Sequence, residues 1–186
     1  HKEYRRQRQM CIRDRFMSGL AGLGVATCWT EKEKRIRCLD FTPNVPKDFL
    51  AEQLNKESTN TGPSASGVPG NLAGWCVLLE KYGSKSLAEV LAPSIRHARE
   101  GFPVSNLYIH MANLTASRAC TSEWRQVYMS GLDSIEENWI LRQPMLAETL
   151  EAIASEGAQF LYQGPLGREM VSHIPVSYTH LRAHET

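Results

Sequence analysis

The sequence has no apolar run long enough to cross a bilayer as a helix. It has no Cys-x-x-Cys pair, and no histidine pair of the zinc-binding kind lies near any of its cysteines. Its glycines are not followed by the Lys-Ser/Thr of a P-loop, and their spacing is not that of a dinucleotide fold, so packing and turn-making explain them better than phosphate binding. A dominant charge is missing too: 21 Lys/Arg face 20 Asp/Glu, for a net charge of +1. Six of those cations (Lys2, Arg5, Arg6, Arg8, Arg13, Arg15) lie within 1–15 against Glu3 and Asp14, giving that segment +4 and leaving 15 cations against 18 anions elsewhere, or −3. A mildly acidic body gives no footprint for nucleic acid.

What is present is ordinary for a globular chain. At 186 residues, 42% apolar and 22% charged, it is one domain or part of a larger one. The five cysteines (Cys11, Cys28, Cys38, Cys76, Cys120) are odd in number and read as buried free thiols; Cys28, at an alternating strand position, suits a small apolar role. His97 and His110 lie in helical runs with no second ligand at metal spacing and read as core or surface histidines. Glu136 and Glu137 are adjacent and cannot face one another as an acid/base pair, so they read as a solvated face.

The period of two over Val25–Trp29 and Arg35–Phe41, around the charged turn Thr30–Lys34, predicts a β-hairpin with one half-buried face. Residues 47–66 read as one short helix and a polar loop. Then comes a glycine-rich entry, Ser66-Gly67-Val68-Pro69-Gly70, and a helix capped by Gly70 or Asn71. Its expected apolar face is Leu72, Trp75, Val77, Leu78 and Leu79, and Gly83 is expected to end it in the left-handed conformation. Ser86-Leu87-Ala88-Glu89 is a capping box. Pro93 is expected to split the following run into helices at about 87–91 and 93–100, the second stopped by Gly101 and Pro103. Ser105 caps a helix to about Ala119, with Leu107, Met111, Leu114 and Ala119 turned inward. Residues 120–142 read as irregular with short helical pieces. Pro144 opens a helix on whose one face lie Leu146, Leu150 and Ile153, ended at Glu156-Gly157; Phe160–Gly164 connects it to a last helix over about 165–173. The expected class is α+β, mostly helical with an N-terminal β-hairpin.

Several of these blocks resemble one family. Val68-Pro69-Gly70-Asn71-Leu72-Ala73-Gly74, Lys81-Tyr82-Gly83, and the run from Leu91-Ala92-Pro93 to Gly101-Phe102-Pro103-Val104-Ser105 are similar to the large-subunit half of γ-glutamyltransferases (glutathione hydrolases). So is Gln143–Gly157, followed by the Tyr162-Gln163-Gly164 of an F-Y-x-G block. The hairpin resembles the family's glycine-rich strand, charged turn and D-x-R-E-x-A-P segment, which here runs Leu39-Asp40-Phe41-Thr42-Pro43-Asn44-Val45-Pro46. The resemblance implies an N-terminal-nucleophile hydrolase, an αββα sandwich made as a precursor that cuts itself into large and small subunits. It also implies a threonine nucleophile beyond Ile174 that attacks a γ-glutamyl amide, with its own α-amine as base and backbone N–H groups at the oxyanion.

On that basis the chain holds no catalytic residue, no metal and no cofactor, and is inactive alone. Its parent acts on a small-molecule amide, pairs with its own small subunit, and has neither a nucleic-acid partner nor a membrane span. Family members are often periplasmic or secreted, which does not fix a compartment here. The family's arginine in the D-x-R-E segment clamps a carboxylate; Thr42 stands in its place, so no substrate-binding residue is assignable. Two alternatives follow: a divergent amide hydrolase of the cephalosporin-acylase kind, favoured by Thr42, or a non-enzymatic helical interaction module. A reading frame that continues to a processing threonine separates enzyme from module.

Two strings stand apart from this pattern. Read functionally, residues 1–15 are a basic arm for nucleic acid or anionic lipid and Val176–Thr186 a histidine-bearing tail for a metal. Both resemble translated sequencing-adaptor DNA of the sort left on reading frames from metagenome assemblies. Residues 1–15 and 175–186 are therefore set aside as artefacts, and 16–174 taken as a partial large-subunit domain, truncated at both ends.

Overall fold

The computed structural model describes residues 19–43, 67–118 and 121–173; the helix and loop expected over 47–66, Cys11, Cys120, Ala119 and both terminal strings lie outside them. The class is α+β and mostly helical, with an N-terminal hairpin, as expected. Contacts divide the chain into two compact units, one of Leu20–Ser84 with Glu156–Thr186 and one of His1–Gly19 with Lys85–Ser155.

In the first unit, β1 (Val25–Thr30) pairs antiparallel with β2 (Arg35–Asp40), in a register from Val25 opposite Asp40 to Thr30 opposite Arg35. The turn closes through Lys34 N–H to the Thr30 carbonyl at 2.9 Å. Glu33 accepts from Arg37 Nε at 2.6 Å and from Arg35 Nε at 3.4 Å. Period two then sorts the faces. Ala26, Cys28, Arg37 and Leu39 are half-buried, while Val25, Trp29 and Ile36 are 63%, 57% and 66% exposed. The expectation of buried thiols fails here: Cys38 lies on the exposed face, and Cys28 and Cys76 are only half-buried. Pairing Cys38 opposite Thr27 fixes its side, because adjacent residues of a strand point to opposite faces.

Helix α1 (Asn71–Tyr82) follows, with Gly70 as its N-cap residue. Its inward face differs from the expected one. Asn71, Leu72 and Gly74 are buried, whereas Trp75 and Val77 are 40% and 45% exposed. Hydrophobicity alone misplaced the face, because the ring that packs on this helix is Phe41, and it lies against Gly74. Gly83 is not left-handed but extended (φ −78°, ψ 157°), its N–H still closing on the Leu79 carbonyl. Farther along, Phe160–Tyr162 is not a plain connection but part of a one-turn helix, α6 (Gln159–Tyr162), which leads to α7 (Pro165–His173).

In the second unit, α2 (Leu87–Glu100) begins with the expected capping box: Ser86 Oγ accepts from Glu89 N–H and the Glu89 carboxylate accepts from Ser86 N–H at 2.9 Å. The expected break at Pro93 does not occur; the helix runs through it. A proline there forfeits one backbone bond, at about 3 kcal/mol in a helix interior. The helix persists because it is capped at its start and buries Leu91 and Ala98 on one side. Gly101 ends it at φ +89°, where a side chain would be strained. Strand β3 (Phe102–Pro103) then pairs antiparallel with β4 (Ile140–Leu141).

The core of this unit is Phe102, Val104, Tyr108, Ala112, Ala116, Met129, Ile135 and Leu141. Helix α3 (Asn106–Arg118) is capped by Ser105 as expected, its Oγ accepting from Tyr108 N–H at 3.2 Å. Its inner face is Tyr108, Ala112 and Ala116, and Leu107 is 58% exposed, so the face expected from Leu107, Met111 and Leu114 is a correction. The reason is chemical. The Tyr108 hydroxyl donates to the Tyr128 carbonyl at 2.8 Å, its ring stacks with Trp139, and two alanines let the neighbours approach. Helix α4 (Ser122–Met129) is a short piece of the kind expected. Asn113 holds the segment after it, accepting from Ile135 N–H and donating to its carbonyl, both at 3.0 Å. Helix α5 (Pro144–Glu156) starts at the proline, buries Ala147, Leu150 and Ile153, and ends at Gly157 (φ +77°).

Candidate functional site

The exit of β2, Asp40-Phe41-Thr42-Pro43, is the segment the sequence marks for chemistry, and the hairpin unit is built around its middle residue. Phe41 N–H donates to the Gly24 carbonyl at 3.0 Å, continuing the hairpin by one more bond. The Phe41 ring fills the space beside Gly24 and Gly74, and its carbonyl lies where a Cβ on residue 70 would be. Only glycine fits there. The Gly22 carbonyl accepts from both Gly70 and Asn71 N–H at 3.1 Å. Hairpin entrance, hairpin exit and the first turn of α1 therefore meet at Phe41.

Beside this junction, Thr42 N–H donates to Asp40 Oδ1 at 3.0 Å. That bond, with a second from the Thr42 side chain, holds the Asp40 carboxyl below the usual carboxylate range. Thr42 itself is exposed. The two guanidiniums of the hairpin, Arg35 and Arg37, are both engaged by Glu33 at its turn. The exit thus offers an ionised carboxylate and a hydroxyl, an arrangement suited to donors or neutral groups rather than to a carboxylate.

At the start of α1 the Tyr162 hydroxyl accepts from Ala73 N–H at 3.2 Å and donates to the Pro69 carbonyl at 2.9 Å. Burial raises the Tyr162 pKa above the ordinary tyrosine value, and burial likewise raises the Cys76 thiol, which receives the Ala158 N–H. Sequence reasoning placed Phe41 in a strand and Tyr162 in a connection and gave neither a role. The signal available for both was membership of quoted blocks, the D-x-R-E segment and F-Y-x-G.

The other candidates belong to the second unit. His97 packs edge-on against Phe102 with ring centroids 6.4 Å apart, and His110, Glu136 and Glu137 are exposed, all in the second unit. Among the described residues no three His, Cys, Asp or Glu side chains are grouped to hold a metal ion, and no helix is long and apolar enough to cross a membrane.

Comparison with known proteins gives a consistent result. The family model described as gamma-glutamyltranspeptidase matches residues 8–183. The glutathione hydrolase 5 proenzyme of Rattus norvegicus is 32% identical over 163 residues, covering 84% of this chain and 28% of the relative. The acylase ACY 1 proenzyme of Pseudomonas sp. (strain V22) is 34% identical over 134 residues, covering 68% of this chain and 24% of the relative. The crystal structure of the Bacillus anthracis transpeptidase enzyme CapD matches with a TM-score of 0.77 and 26% identity, covering 95% of this chain and 57% of that one. The chain thus spans between a quarter and a third of the glutathione hydrolase proenzyme's length, and its fold is that of N-terminal-nucleophile hydrolases of this kind. A match running over nearly the whole sequence makes the assignment plain: this chain belongs to the gamma-glutamyltranspeptidase family.

Proposed function

We propose that the chain is the large-subunit portion of an enzyme that transfers or hydrolyses γ-glutamyl amides such as glutathione, and that alone it is scaffold without chemistry. The observation that carries this reading is the family match over residues 8–183, set beside relatives of which the chain spans about 28%. In this reading residues 16–174 are the partial large-subunit domain, although the family match runs past them into both terminal strings. The nucleophile is an N-terminal threonine outside the chain, freed by cleavage of a precursor. Its hydroxyl attacks the amide carbonyl, its α-amine takes the proton, and water or an amino acid then receives the acyl group. The partners are accordingly a small amide substrate and the enzyme's own small subunit.

A second reading has a specific observation behind it. Thr42 replaces the guanidinium that the family uses on the substrate carboxylate, and a hydroxyl carries no charge to meet one. With Asp40 ionised beside it, this favours an acylase acting on an amide without that carboxylate, and the 34% identity to an acylase proenzyme supports it.

One experiment tests both readings. The source DNA is read past Ile174, and the extended protein is assayed on γ-glutamyl-p-nitroanilide and on a neutral acyl-p-nitroanilide. Turnover of the first by the extended protein, and none by the 186-residue chain, is the expected result. Turnover by the chain alone would refute the scaffold reading. Preference for the neutral substrate would establish the acylase reading instead.

A further inference from the structure

Helix α1 begins without a cap of its own. Capping normally comes from a Ser, Thr, Asp or Asn side chain that accepts from the N–H of the second or third helical residue. Gly70 holds that position and makes no such bond. Nor can a capping residue replace it, because its Cβ would fall on the Phe41 carbonyl. The contact that seats the exit of β2 therefore deprives α1 of its cap.

The acceptor arrives from the other end of the sequence. Tyr162 closes α6, beside the buried Leu161, and its hydroxyl accepts from Ala73, the third residue of α1. The same hydroxyl donates to the carbonyl of Pro69, immediately before the cap position. Donor and acceptor functions of one phenol both act on the same turn, which satisfies an orphan N–H of the helix start. That turn is in turn held by Gly22 and overlaid by Phe41.

We propose that Tyr162 is a positioning residue: it caps α1 from a distance and, by holding Pro69–Ala73 under Phe41, sets the Asp40–Thr42 turn at the β2 exit. That this turn faces substrate rests on the family reading above; the latch itself does not. It also gives a physical link between two sequence blocks, V-P-G-x-x-A-G and F-Y-x-G, that lie some ninety residues apart.

The test uses the full 186-residue chain, isotope-labelled for NMR and kept dilute enough to stay monomeric, as wild type, as Tyr162→Phe, and as Leu166→Ala, a destabilised control in α7. Two signals are read: hydrogen exchange at the Ala73 amide, and the titration of the Asp40 carboxyl. In Tyr162→Phe the Ala73 amide exchanges about five- to tenfold faster relative to the rest of α1, the loss expected for a helix cap. The Asp40 titration moves up toward the ordinary carboxylate range. In Leu166→Ala neither signal changes more than the unit as a whole. Unchanged Ala73 and Asp40 signals in Tyr162→Phe would overturn the proposal, as would equal changes in the control.

A second measurement serves if Tyr162→Phe does not fold. A ring-fluorinated, more acidic tyrosine at 162 keeps both bonds at neutral pH. Its ionisation, followed by fluorine NMR with Cys76 as the other titrating group nearby, is expected to shift the Ala73 amide in step. An Ala73 amide indifferent to that ionisation would overturn the latch. No substrate enters either measurement, so a failed γ-glutamyl assay and a failed latch are separate results.

Discussion

A methyl group at residue 70 would sit on the Phe41 carbonyl, whereas one at residue 157 would meet nothing within 4 Å and suffer only from a φ of +77°. The two glycines therefore answer differently to the same substitution. Gly157→Ala is expected to cost about 1–2 kcal/mol, the strain of a left-handed alanine. Gly70→Ala must displace backbone and is expected to exceed that, with the β2 exit disturbed; urea midpoints of the two variants, with equal losses as the contrary result, decide it. Tyr162 and Cys76 give a second residue-level expectation. Both have folded pKa values raised chiefly by burial, so each contributes stability that is fully present below its ordinary value and lost as pH rises through the folded one. Melting temperature should fall first across the range above the ordinary thiol value and again above the ordinary phenol value. Cys76→Ala should flatten the first fall, and an unchanged profile in that variant would count against the assignment.

Among the elements, α2 carries the clearest conflict between local signal and outcome. Its capping box was legible because all its partners lie within four residues, and a local motif of that kind depends little on tertiary context. Its passage through Pro93 was not legible, since burial of Leu91 and Ala98 overrides a local penalty only after packing partners are in place. Pro93→Ala is accordingly expected to stabilise the chain, by up to about 3 kcal/mol, by restoring the missing N–H to the helix ladder. A lowered melting temperature would show instead that the ring is needed for packing. The same contrast runs through α3, where Ser105 capped as expected but Tyr108, not Leu107, turned inward to reach the Tyr128 carbonyl.

At the scale of the whole molecule, the hairpin presents Val25, Trp29 and Ile36 together on its exposed face, each more than half open to water. Exposed apolar side chains on a sheet to which no further strand pairs among the described residues promote association. The 186-residue chain is therefore expected to aggregate and to melt with poor cooperativity, and Ile36→Lys to raise its solubility while leaving the melt unchanged. Light scattering and calorimetry check the pair, and a sharp two-state melt would contradict the first half.

By itself the sequence determined the α+β class, the hairpin, the helix starts at Ser86, Ser105 and Pro144, and the family, because each rests on spacing within a few residues or on collinear blocks. Only the tertiary structure decided which faces turned inward, that Cys38 is exposed, and that Phe41 and Tyr162 join the two ends of one unit. Those outcomes depend on contacts between residues tens of positions apart, and neither periodicity nor propensity carries information about which distant ring or hydroxyl will arrive.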